Sequence, residues 1–96
     1  MRTVLGLATV DLAIPGARSL KDKRSVSRRI VARLRQRFNV AVAEVGSQDA
    51  WTRLTLGVAC VSNSERHAQS ILDQAIDAIE QLSIDAELID HRIELF

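Results

Sequence analysis

The hydrophobic residues of this chain recur at every second position, then at helical spacing, then at every second position again, and this cycle runs twice. In residues 2–14, Val4, Gly6, Ala8, Val10, Leu12 and Ile14 share one face, and Leu5, Leu7, Thr9, Asp11 and Ala13 the other. A period of two is that of a strand. Pro15-Gly16 ends it. Ser19 followed by Asp22 resembles a capping box, with Asp in place of Glu, and predicts a helix start. Leu20, Ile30, Val31, Leu34 and Phe38 then fall in one stripe about 100° wide. Residues 40–45 (VAVAEV) and 51–61 (WTRLTLGVACV) are strand runs on either side of the turn cluster Gly46-Ser47-Gln48-Asp49, which predicts a hairpin. Ser62-Asn63-Ser64-Glu65 reads as a second capping box. Ala68, Ile71, Leu72, Ala75, Ile79 and Leu82 follow at helical spacing to near Ile84, and residues 86–95 alternate through Ile89, His91, Ile93 and Leu95.

The predicted order is β-α-β-β-α-β. Two interlocked β-α-β units of this kind form an α+β, ferredoxin-like sandwich: a four-stranded antiparallel sheet with both helices on one face. Right-handed crossovers place the first and third strands at the centre. Residues 1–96 are expected to be a single domain, since a chain this short has only one core to share among its elements. No run of about 18 apolar residues exists to span a membrane. A single cysteine, Cys60, excludes an internal disulfide and fits a reducing compartment, so a cytoplasmic location is expected.

Charge is separated along the chain rather than in surplus. Nine of the thirteen basic residues lie between Arg18 and Arg37, offset there only by Asp22, while the formal net charge is +1. From Glu65 to Glu94 there are eight acids and two bases. On the first helix, Lys21, Arg24, Arg28 and Arg35 project in one stripe beside the core, and Arg29, Arg33 and Arg37 in another. Solvated faces usually mix signs, because like charges at i, i+4 repel. An unrelieved basic face points to a polyanion, most often nucleic acid. The candidate anion-binding residues are Lys21, Lys23, Arg24, Arg28, Arg29, Arg33 and Arg35. The alternative is a structural homo-oligomer, expected to be a dimer, whose basic helix docks on acids such as Asp73, Asp77 and Glu80 of another subunit.

Base stacking on the sheet, the usual route to RNA in this fold order, is not expected. The chain has three aromatics, and only Trp51 lies near a central strand. Trp51 is instead a rim residue or an interface anchor. Glu44, a charge inside an apolar run, is expected to pair with Arg53 across the hairpin. His67 and His91 have no partner at ligand spacing, Cys60 reads as a small core residue, and the four glycines form no phosphate loop. No catalytic constellation, metal site or cofactor is expected. Gly6, Ala8, Gly57 and Ala59, if outward, would leave a flat sheet face on which a second copy could pack.

The run SLKDKRS at 19–25, FNVAVAEVG at 38–46 and QDAWTRLTLGVACVSN at 48–63 resembles the YlxP-like family of small uncharacterised bacterial proteins. Ala41 and Leu54 depart from its pattern. The resemblance implies a ferredoxin-like fold and transfers no catalytic residues. Some members are encoded beside translation and ribosome-maturation factors, which implies an RNA or ribosomal partner.

Overall fold

The structure, a computed structural model, describes residues 2–82 and 84–96. The elements follow the predicted order: β1 (Val4–Ala13), α1 (Leu20–Arg37), β2 (Ala41–Gly46), β3 (Arg53–Ser62), α2 (Glu65–Leu82) and β4 (Glu87–Leu95). They build one antiparallel sheet in the order β2-β3-β1-β4, so the two ten-residue strands are central, as the crossover rule requires. The fold is the ferredoxin-like βαββαβ sandwich.

Strand parity decides which side chains are covered. On β1, Val4, Gly6, Ala8, Val10 and Leu12 are buried, and on β3, Leu54, Leu56, Val58 and Cys60. The helices supply the other half of the core: Val26, Ile30 and Leu34 from α1, and Ala68, Leu72, Ala75, Ile76, Ala78 and Ile79 from α2. Each fully buried Leu or Ile contributes about 1.5–3 kcal/mol of transfer free energy. The four small residues proposed for the open face are therefore divided. Gly6 and Ala8 face the helices; Gly57 and Ala59, opposite Thr9 and Leu7, face away from them. Gly6 is required by closeness, since a Cβ there would lie 2.9 Å from Leu72 Cδ1 and 3.1 Å from Cys60 Sγ.

The caps explain where the helices start. Ser19 accepts the Asp22 N–H at 3.1 Å, and Asp22 Oδ2 accepts the Arg18 N–H at 2.9 Å. At α2 the cap is Ser64, whose Oγ accepts the His67 N–H at 3.2 Å, and not Ser62 as the S-x-x-E pattern suggested. Ser62 Oγ instead accepts the Ser64 N–H and contacts His67 Nδ1 at 3.0 Å. Two serines two residues apart made the pattern ambiguous.

The face of the sheet away from the helices carries an apolar end. Leu5 lies opposite Val61 on β3 and exchanges both backbone hydrogen bonds with Phe96 beyond β4, so Val61, Leu5 and Phe96 form a row across three strands. All three are exposed, Val61 and Phe96 by about two thirds.

Candidate nucleic-acid interface

The basic helix divides into three groups once its neighbours are in place. Lys23 is the first correction. Its chain is 1% exposed, so it is not part of an anion-binding surface. Its Nζ makes an ion pair with Glu44 Oε1 at 3.0 Å and donates to the carbonyls of Ser47, Gln48 and Ala50. Three N–H donors serve four oxygens, and the Gln48 contact at 3.3 Å is the weakest. Glu44 is the second correction. It lies opposite Leu56, on the helix side of the sheet, whereas Arg53 lies opposite Ala13 on the open side. The expected Glu44–Arg53 pair is on opposite faces of the sheet, and Lys23 takes its place.

Lys23 thereby ties α1 to the β2–β3 connection, residues 47–52. Ser47 within it adopts a left-handed φ of 59°, and its Oγ contacts Thr55 Oγ1 at 3.1 Å. Sequence reasoning missed this cage because a lysine reads as a surface cation. The signal was present in helical phase: at 100° per residue Lys23 falls in the stripe of Ile30 and Leu34.

A second group is engaged elsewhere in the chain. Arg29 pairs with Asp85 Oδ2 at 2.8 Å, on the connection leading to β4. Arg35 donates to the Val42 carbonyl at 2.9 Å and so anchors α1 to β2. Arg37 sits over the Phe38 ring, 5.4 Å from its centroid. With Glu44 and Asp85 counted, the local excess of about +8 falls to about +6.

The third group is Lys21, Arg24 and Arg28. All are exposed, and among the described residues none has an acid within ion-pair distance. They line one shallow groove with Ser25. Arg33 is also exposed and borders a different depression with Ile30, Leu82 and Asp85. The structure brings Lys21, Arg24 and Arg28 together and leaves Arg29 and Arg33 on the side facing Asp85.

No group of three or more His, Cys, Asp or Glu among the described residues is placed to hold a metal ion. Cys60 is buried, and desolvation raises its thiol pKa, only partly offset by a hydrogen bond with the Gly6 backbone. A thiol kept protonated in a core is a poor nucleophile. Among the described residues, no helix is long and apolar enough to cross a membrane.

The sequence profile of a family described as "Protein of unknown function (DUF503)" matches residues 5–93. The chain belongs to this family. The DUF503 chain is also 38% identical over 77 residues to the "Uncharacterized protein YlxP" of Bacillus subtilis (strain 168), covering 80% of this chain and 84% of that one. Among solved structures it is similar to the de novo designed protein Foldit4, with a TM-score of 0.57, 11% identity and coverage of 99% of this chain and 97% of that one. A putative antibiotic biosynthesis monooxygenase from Nitrosomonas europaea gives a TM-score of 0.55 at 10% identity, covering 96% and 88%. At such identities these two likenesses concern the fold alone.

Proposed function

We propose that this DUF503 protein is a non-enzymatic, cytoplasmic domain that contacts RNA or a ribosomal particle through the exposed flank of α1. The observation that carries this reading is the groove of Lys21, Arg24 and Arg28, three cations with no acid within ion-pair distance among the described residues. Along the helix they span about 10 Å, two turns, which suits successive phosphates rather than one small anion. Such contacts position a backbone and carry little sequence information. Replacing Arg24 and Arg28 by Glu is expected to leave the fold intact, weaken RNA binding and lower the magnitude of the salt slope by about 1.4, the share of two phosphates on a single strand. Binding that is unchanged and equally salt-dependent in this variant overturns the reading.

A second reading is favoured by a different observation, the exposed row Val61–Leu5–Phe96. Strands of ten, ten, nine and six residues set about 4.8 Å apart offer roughly 550 Å² per copy, so two copies face to face approach the lower end of stable interfaces. Here the protein is a homodimer packed through the sheet. Docking of α1 on Asp73, Asp77 and Glu80 of another subunit is the electrostatic variant. Among the described residues those acids form no ion pair with α1 of their own chain.

A further inference from the structure

We propose that the ligand of the α1 groove is single-stranded RNA, one base of which stacks on Trp51 while the adjoining phosphates lie along Lys21, Arg24 and Arg28. This deepens the RNA reading above and rests on it.

Trp51 is 52% exposed, although it is the largest apolar side chain in the protein. Its backbone is held from both sides. The Ala50 carbonyl accepts from Lys23 Nζ at 2.9 Å, and the Thr52 carbonyl accepts the Ile14 N–H at 2.8 Å. The indole is therefore presented from a fixed connection, and little backbone ordering remains to be lost on binding. The same connection borders α1 at Arg24. β1 ends, β3 begins and α1 starts at one end of the sheet, and Gln48 lines a depression together with Leu20 and Arg24. Lys23, buried between α1 and this connection, ties the backbone that carries Trp51 to the helix that carries the cations.

An exposed aromatic beside a backbone-tracking row of cations is the arrangement that binds single strands without strong sequence preference. A duplex keeps its bases stacked inside and offers Trp51 nothing to stack on. Asp49, exposed two residues before Trp51, repels phosphate locally and so favours a base at the indole over a phosphate.

Trp51 is the chain's one tryptophan, so its fluorescence reports the contact directly. The experiment titrates the intact protein with a single-stranded RNA of about twelve nucleotides, and separately with the same sequence as a duplex. The expected result is quenching by the single strand and not by the duplex. Trp51→Ala should bind the single strand roughly ten- to hundred-fold more weakly with an unchanged salt slope, and Trp51→Phe should recover most of the loss. Salt-dependent binding with unaltered emission, or a duplex bound as tightly as the single strand, overturns stacking and leaves the α1 reading standing. Absence of salt-dependent binding to either RNA overturns both.

Discussion

Lys23 shows how one residue's chemistry can conceal its place in the structure. It lies in the core stripe of α1, and its ammonium is surrounded by Glu44 and three carbonyls of the β2–β3 connection. Removing one partner of a buried pair leaves the rest unsatisfied, which typically costs about 3–5 kcal/mol. Glu44 is 23% exposed, so the lower end applies. Lys23→Ala should therefore lower stability by about 3 kcal/mol in urea denaturation, while Arg24→Ala, one position along, should change it by less than about 0.5 kcal/mol. Equal effects would mean that the cage is not holding the connection. Cys60 gives a pH prediction of definite sign. Burial raises its folded pKa, so above about pH 8.5 the unfolded chain loses the thiol proton first and stability falls with rising pH. Below that pH the contribution is constant. Urea midpoints should decline as pH rises above about 8.5, and Cys60→Ala should flatten the decline, with no tyrosine in the chain to mask it.

At the scale of elements, α1 carries more like charge than a helix needs. Arg24–Arg28, Arg29–Arg33 and Arg33–Arg37 are i, i+4 repulsions of a few tenths of a kcal/mol each. Lys21 and Arg24 also sit near the helix N-terminus, where the macrodipole disfavours cations. Arg24→Glu should thus raise stability by about 0.5 kcal/mol in thermal melts while weakening RNA binding, an opposition expected of a face kept for a ligand. Concurrent loss of stability would count against that reading. On β1, Gly6→Ala would press on Leu72 and Cys60 and should cost about 1 kcal/mol, partly recovered by adding Leu72→Val. The six elements were legible because their hydrophobic periods are clean and Pro15-Gly16 and Gly46-Ser47 mark the turns. Parity on β1 groups Gly6 with Val4 and Ala8, but that this face is the covered one, not the open one, is shown only by the helices packed on it. The candidate site was legible only in part. Charge density marked α1, but the sequence does not show that Glu44 faces inward, because the bulge at Val45 and the register of β2 on β3 are tertiary facts. The fixing of Trp51 depends on carbonyls, which carry no side-chain signal.

For the whole molecule, the RNA and dimer readings use different surfaces. The cations lie on the helix layer, whereas Val61, Leu5 and Phe96 lie on the opposite face of the sheet. A sheet-packed dimer would leave both α1 grooves free and could present two RNA-binding flanks, so the readings are compatible. Helix-to-acid docking would instead cover the groove, and RNA would compete with it. Salt separates the two modes of association. Ion pairing between exposed helices weakens within a Debye length of about 4–5 Å at 0.5 M salt, while apolar packing does not weaken with ionic strength. Light scattering at micromolar concentration should therefore show a dimer mass at both about 0.05 M and about 0.5 M salt. Leu5→Glu with Val61→Glu should return the monomer and keep RNA binding, because neither side chain approaches α1. A dimer found only at low salt, and dispersed by RNA, would transfer the interface to the helices. A monomer under both conditions removes self-association and leaves the groove of Lys21, Arg24 and Arg28 acting from a single chain.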